Sequence, residues 1–428
     1  MFKFLHAADL HLDSPLHGLE RYEGAPVEEI RGATRRAFDN LVQLAIDEEA
    51  NFVLIAGDLY DGDWRDYNTG LFFVSRIARL REAGIAVYAI SGNHDAANKM
   101  TRSLRLGDNP DGTPVMLSHR KPQTIVLPQL DVAIHGQGFA SASIEESVVP
   151  SYPAARAGHF NIGILHTSLE DSAGEHARYA PCTTGELVAK DYQYWALGHI
   201  HQRREITCGG TRIVFPGNVQ GRHIRETGAK GCLLVTVDDR GVVQPEFRAL
   251  DVFRWELCEI SGDGAQRGEE IVQRFAARLV RLMEANGGLP LAVRVVVSGP
   301  CPAHQRLLAD PIAWTNELRA AALDVGGGTV WVEKVKWQTS AARHWDERAL
   351  TEGPVGELVS LVRELKESDD CLRDLSHDLF ADLDRKLTDD LKREGDGLLL
   401  QDLGELRGAL VEVESLLLTR LQTQDAQP

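Results

Sequence analysis

Five short clusters in the first half of the chain constrain its fold more than any other feature. They are Asp9-Leu10-His11, Gly57-Asp58, Gly92-Asn93-His94-Asp95, His166 and Gly198-His199-Ile200-His201. Most fall where an apolar, strand-like run stops, at residues 2–5, 52–56, 87–90, 162–165 and 194–197. Side chains at the ends of adjacent strands converge on one rim of a sheet, where α/β proteins build their sites. A fold that satisfies this pattern must bring five strand ends together.

The residue types at those ends suit a pair of divalent cations. Asp9 and His11, two apart at a strand end, can point the same way and chelate one ion. Asp58 follows a glycine that permits a sharp turn, and its two oxygens are enough to bridge two metals. Asn93 offers a neutral amide oxygen, which keeps the ligand charge low enough for the metals to remain Lewis acids. His199 and His201 flank Ile200 and can feed both ions, while His166 completes the second. His135, which also ends an apolar run, competes with His166; residues 162–165 form the cleaner buried strand, so His166 is preferred. Carboxylate, amide and imidazole without thiolate favour Mn²⁺, Fe or Zn²⁺ over Ca²⁺ or Mg²⁺. Two such ions turn water into a nucleophile and clamp phosphoryl oxygens, and His94 is left to handle a proton.

A chain of 428 residues is too long for one compact core. Residues 1–250 alternate strand-like runs with helical stretches at 33–50 and 69–83, then give closer strands with Gly and Pro at the turns, the pattern of a layered α/β domain. Residues 251–340 read β-α-β-α-β, a small two-layer α+β domain. Residues 341–428 carry no strand candidate but three leucine stripes: Leu358, Leu361, Val362 and Leu365; Leu372 to Leu387; and Leu403 to Leu421. Net charge is −17, which opposes a polyanion, yet the excess is concentrated after Arg343 and bound cations would return positive charge to the site. No apolar run reaches the roughly 20 residues of a bilayer span. The opening residues turn polar too soon for a signal peptide, and the six scattered cysteines suit reduced thiols; a cytoplasmic location without a membrane is expected.

Asp9-x-His11, Gly57-Asp58-x-x-Asp61, Gly92-Asn93-His94-Asp95, His166 and Gly198-His199-x-His201 together resemble the calcineurin-like metallophosphoesterases. The resemblance implies a four-layer αββα sandwich, with the small α+β domain as a cap and the helical tail beyond it. It implies that Asp9, His11, Asp58 and His201 hold one metal, and Asp58, Asn93, His166 and His199 the other, with Mn²⁺ the expected ion. His94 then acts as general acid or transition-state stabiliser, oriented by Asp95, with Asp61 supporting a ligand.

Two further stretches, residues 6–15 and 215–223, resemble the YhaO branch of SbcD-type DNA repair exonucleases. Asp13, where SbcD proteins more often carry Gly, favours that branch. The resemblance implies a metal-dependent DNA nuclease that works in repair or end processing. It also implies docking of the C-terminal helices on an SMC-like coiled-coil ATPase, and a homodimer. Arg222, His223 and Arg225, with Lys230, Arg203 and Arg204, form a basic neighbourhood that can hold flanking phosphates, or a surface loop balanced by Glu205 and Glu226. Tyr60, Trp64 and Tyr67 are candidate base platforms or packing residues. Two alternatives are a small-molecule nucleotide phosphodiesterase of the same chemistry and a non-catalytic DNA-end scaffold. No Gly-x-x-x-x-Gly-Lys-Ser/Thr loop is present, so any ATP dependence belongs to a partner.

Overall fold

The structure is a computed structural model that describes residues 1–14, 30, 32–60, 67–96, 106–139, 141, 144–169, 179–341, 353–386 and 403–424. The chain divides into two compact units, with the change at Trp255/Glu256. The first begins with β1 (Phe2–Ala7), α1 (Ala33–Asp47), β2 (Phe52–Ala56), α2 (Tyr67–Glu82) and β3 (Ala86–Ile90). The short α3 (Asn93–Ala96) leads to β4 (Gln123–Leu127), β5 (Val132–Gly136) and β6 (Phe160–His166). After α4 (Thr184–Val188) come β7 (Tyr194–Gly198), β8 (Arg204–Cys208), β9 (Thr211–Phe215), β10 (Gly231–Val237) and β11 (Val243–Ala249).

These strands form two sheets, ordered β11-β10-β1-β2-β3 and β4-β5-β6-β7-β9-β8. β1, β2 and β3 run parallel, as do β5, β6, β7 and β9. β2 shows why the sheets stack: all five of its residues are buried, as a strand covered on both faces requires. Phe52, Leu54 and Ala56 face the second sheet and pack with Ile162, Ile164, Tyr194 and Ala196. Val53 and Ile55 face the other way, against Phe38 and Leu41 of α1 and Phe73 and Ile77 of α2. The outer face of the second sheet, with Leu165, Trp195, Leu197 and Phe215, is covered by Leu187 of α4 and by Val149 and Tyr152. Four layers result, the last of them thin: α4 is five residues long and begins with a Thr183–Glu186 capping box.

The second unit holds most of β12 (Arg254–Ser261), then α5 (Gly268–Ala285), β13 (Leu291–Cys301), α6 (His304–Ala309), α7 (Pro311–Gly326) and β14 (Val330–Ala341). The sheet order is β12-β13-β14, with β13 and β14 parallel. α7 starts at Asp310, whose side chain accepts from the Ala313 amide, with Pro311 at its first turn, and stops at Gly327 in the left-handed region. A buried bidentate pair, Arg294 to Glu333 at 2.7 and 2.8 Å, joins β13 to β14. The tail forms α8 (Gly353–Glu367), α9 (Asp369–Lys386) and α10 (Leu403–Gln424). Lys366 pairs with Glu414 at 2.6 Å, and Arg407 Nε reaches the Lys366 carbonyl at 3.0 Å, so α8 and α10 are tied together. Val362, Leu372 and Leu410 are buried, whereas Leu361, Leu379, Val411 and Val413 are exposed. Among the described residues no helix is long and apolar enough to cross a membrane.

Two strands carried no signal in the sequence. β8 is an edge strand with four of its five residues exposed, and β11 alternates weakly because it too lies at an edge. An edge strand has little apolar surface to bury, so its sequence is free of the pattern that marks an inner strand.

Candidate metal centre

Asp9 and His11 follow β1, Asp58 follows β2, Asn93 and His94 open α3 after β3, His166 ends β6, and His199 and His201 follow β7. The strand ends are joined beyond the sheet by backbone bonds: the Asp9, His11 and Leu12 amides donate to the Gly57, Asp58 and Leu59 carbonyls, each at 3.0 Å. Asp9, His11, Asp58 and His199 adopt positive φ of 52, 42, 50 and 98°. That region is costly for residues with a Cβ, and such strain gathers at functional sites. Gly57, at φ 91°, is where a side chain is excluded on two counts: a Cβ there would also lie 2.5 Å from His166 Nδ1.

Two overlapping sets of donor atoms result. Asp9, His11 and His201 form one group, and Asp9, Asp58 and His166 another, with all ligand atoms of a group within 4.8 Å of one another. His11 Nε2 faces His201 Nε2 at 3.1 Å. Asp58 Oδ2 lies 3.8 Å from His11 Nε2 and 3.3 Å from His166 Nε2, between the two sets. Asn93 Oδ1 is 2.9 Å from the same His166 nitrogen. His199 is in neither compact group; its ring centroid is 5.2 Å from that of His166, and its backbone amide donates to the Asp9 carboxylate at 3.0 Å. Asp9, expected in one set, reaches both.

The donor chemistry fits a cation. His166 Nδ1 donates to the Ala56 carbonyl at 2.9 Å, which turns Nε2 toward Asn93 and Asp58, where only oxygen acceptors meet it. Burial opposes charge on His166, but Asp58 and Asp9 outweigh it and lift the imidazole to about 9. Burial likewise pushes Asp58 up, yet His166, His94 and the His94 amide win and hold it at about 2. Burial raises Asp9, and burial with Arg222 nearby takes His11 well below the usual imidazole range. The carboxylates hold a proton on His166 and leave His11 neutral, so the cluster calls for positive charge that a divalent ion can supply in place of that proton.

His94 is partly exposed at the rim; its amide donates to Asp58 Oδ1 at 3.1 Å, and its ring stands 5.2 Å from that of His11. Asp95 acts on the backbone. Its carboxylate accepts from the Leu59, Tyr60 and Gly92 amides, each at 3.0 Å, and so clamps the loop after β2 to the loop after β3. That clamp holds the turn from which His94 projects. His135 stays outside the centre, bonded to Thr124 and Asn161 and stacked on Tyr192.

The basic neighbourhood is more divided than its composition suggests. Arg222 is largely buried, within 3.4 Å of both Ser14 Oγ and His201 Nδ1. His223 and Arg225 are exposed at the rim. Lys230 is buried and donates to the His201 carbonyl at 3.3 Å, whereas Arg203 is exposed with its guanidinium over the Phe247 ring at 4.3 Å. Tyr60 is core, 3% exposed and edge-on to Phe73, which removes it as a base platform. Asp61, Trp64 and the Tyr67 side chain lie outside the described residues. In the sequence Glu226 signals no more than a charge balance for a loop. It is 5% exposed, and its Oε1 accepts from His201 Nδ1 at 2.6 Å. Nothing in its local sequence marks it as buried. Tyr179, against the His166 and His199 rings, also went unnoticed.

This arrangement of donors on the parallel strand ends of a two-sheet sandwich can hold two cations beside a proton-bearing imidazole. Residues 2–203 match the calcineurin-like phosphoesterase family, and residues 255–340 match the middle domain of metallophosphoesterase YhaO. The chain is 34% identical over 304 residues to the metallophosphoesterase YhaO of Bacillus subtilis (strain 168), covering 70% of this chain and 72% of that one. It is 24% identical over 303 residues to the DNA double-strand break repair protein Mre11 of Methanopyrus kandleri, covering 64% and 62%. It is 27% identical over 241 residues to the Mre11 of Archaeoglobus fulgidus, covering 52% and 51%, so it spans under two thirds of either Mre11 chain. The chain belongs to the calcineurin-like metallophosphoesterases, in the YhaO group. It is a metal-dependent phosphoester hydrolase of a family that uses a dinuclear site.

Proposed function

We propose that this chain is the nuclease subunit of a DNA repair or end-processing assembly, acting with two Mn²⁺ ions in the cytoplasm. The observation that carries the reading is the extent of the Mre11 similarity: 64% of this chain is more than the first unit alone supplies, so the likeness takes in residues beyond the metal-site unit. In this reading residues 1–250 are the nuclease domain, 251–340 a cap, and 341–428 the element that docks on an SMC-like coiled-coil ATPase. Leu361, Leu379, Val411 and Val413 are exposed and so are available to such a partner. Dimerisation of the chain belongs to the same reading.

Asp9, His11, Asp58 and His201 would hold one ion, and Asp58, Asn93, His166 and His199 the other. The bound pair supplies Lewis acidity and a nucleophile drawn from water near neutral pH. His94, anchored through its amide to Asp58 and open to solvent at the rim, donates a proton to the departing sugar oxygen. Arg222 holds a non-bridging oxygen beside the scissile phosphate, while His223 and Arg225 hold flanking phosphates. Asp95 keeps the two loops that carry Asp58 and His94 in register.

The test is labelled single- and double-stranded DNA incubated with Mn²⁺, comparing the parent with His94→Gln. Cleavage by the parent and a loss of about 10²–10⁴-fold in the variant are expected. Equal cutting by both removes His94 from its role. Inactivity of both on DNA, with hydrolysis of a chromogenic phosphodiester by the parent, moves the substrate to a small nucleotide.

A further inference from the structure

Glu226 sits on the chain between β9 and β10, at the edge of the metal centre, and among the described residues the groups that bond its carboxylate are hydrogen-bond donors. His201 Nδ1 meets Oε1 at 2.6 Å; Asn218 Nδ2 and the Arg222 amide meet Oε2 at 2.9 and 2.7 Å. Arg222 Nη2 and His223 Nε2 stand farther off, at 3.6 and 3.5 Å from Oε1. The same stretch of chain holds the His201 backbone, whose carbonyl accepts from Lys230 Nζ at 3.3 Å and from the Asn218 amide at 3.4 Å.

We infer that Glu226 is the positioning residue for His201: it fixes the imidazole as the Nδ1–H tautomer, so that Nε2 presents its lone pair to the cation shared with His11. An imidazole that donates from one ring nitrogen to a carboxylate is both oriented and made a stronger base at the other. The two donor sets are therefore supported differently. His166 is oriented by a neutral backbone carbonyl, that of Ala56, whereas His201 is oriented by a buried carboxylate on a separate loop. Removing Glu226 should weaken one ion and spare the other.

The donor-only surroundings also make glutamine a poor substitute. A carboxylate offers lone pairs on both oxygens and no proton, whereas an amide must turn its NH₂ toward one side. Turned one way it confronts His201 Nδ1–H, and turned the other way it confronts Asn218 and the Arg222 amide. Glu226→Gln, nearly identical in size, thus probes the acceptor requirement rather than packing.

This inference rests on the metal-ligand role proposed for His201, and the experiment separates the two. Metal-free parent, Glu226→Gln and His201→Ala are titrated with Mn²⁺, and free ion is followed by its electron paramagnetic resonance signal. The parent should take up two ions and His201→Ala one. Glu226→Gln should bind one ion as the parent does and the other ten- to a hundredfold more weakly. Parental affinity for both ions in Glu226→Gln, with one ion lost in His201→Ala, overturns the inference and leaves the centre intact. Two ions at parental affinity in His201→Ala overturn the ligand role and the inference with it. A measurement that needs no folded variant is the long-range ¹H–¹⁵N spectrum of the ¹⁵N-histidine-labelled, metal-free parent. A proton on His201 Nδ1 is expected, and a bare Nδ1 contradicts the assignment.

Discussion

His6 is the most direct test of how the strand that carries Asp9 and His11 is held. It is fully buried in β1, with Nδ1 3.0 Å from the Tyr194 hydroxyl and Nε2 3.2 Å from the Leu197 carbonyl. A carbonyl only accepts, so Nε2 carries the proton and Nδ1 accepts from the tyrosine. Burial holds this imidazole down at about 3, despite the opposing pull of the Leu197 carbonyl. In the unfolded chain it titrates near 6.5. Between those values the unfolded state binds a proton that the folded state refuses, so stability is complete above about pH 6.5 and falls as the pH drops toward 3. One proton corresponds to about 1.4 kcal/mol per pH unit, which amounts to roughly 2 kcal/mol between pH 7 and pH 5. His6→Gln keeps an acceptor for Tyr194 and a donor for Leu197 but cannot titrate. Urea unfolding in chelator at the two pH values should therefore show the variant losing about 2 kcal/mol less than the parent. All other titrating groups are common to both proteins and cancel. Equal losses in parent and variant would falsify the reasoning, whatever the absolute stability of either.

Two further predictions concern the site and the tail. Gly57→Ala forces a Cβ into a positive-φ position and onto the His166 ring; a destabilisation of roughly 2–5 kcal/mol is expected, together with loss of ion binding in metal uptake. An unchanged urea midpoint would show that the turn relaxes freely. In the tail, Leu361→Glu combined with Leu379→Glu charges two exposed positions and should abolish co-purification of a coiled-coil ATPase without altering the helical circular dichroism. Undiminished recovery of that partner rules out this face as the docking surface.

The sequence made the inner strands and the clusters at their ends legible because burial on both faces leaves a continuous apolar run with a polar stop. β2 and β7 are such runs, and Asp58 and His199 lie just beyond them. The choice of His166 over His135 was weaker, since both end buried strands. Only the geometry separates them: His135 bonds Thr124 and Asn161, while His166 meets Asn93 and Asp58. The amide partners of Asp95 and the buried place of Glu226 were not legible. Asp95 works on backbone amides that are far from obvious in a string of letters, and Glu226 reaches His201 across 25 residues. Lys230 looked like a phosphate ligand because composition records charge but not that the ammonium is buried on the His201 carbonyl.

The strained residues explain why ligands and supports should behave differently on substitution. A left-handed backbone at a residue with a Cβ costs about 1–3 kcal/mol, and such strain survives only where the surroundings over-determine it. Here the loops after β1 and β2 are joined by three successive backbone bonds, and the His199 amide is caught by the Asp9 carboxylate. Those loops rest on the helix-covered and inter-sheet cores, whose burial offsets the strain. The positions of Asp9, His11 and Asp58 are thus set by main chain. A ligand side chain that holds no main-chain amide can then be changed with little effect on the fold, whereas Asp9 and Asp58 also accept the His199 and His94 amides. A change at Gly57, or at Asp95, which clamps the second loop to the third, alters the main chain itself. The centre and the fold should then fail together.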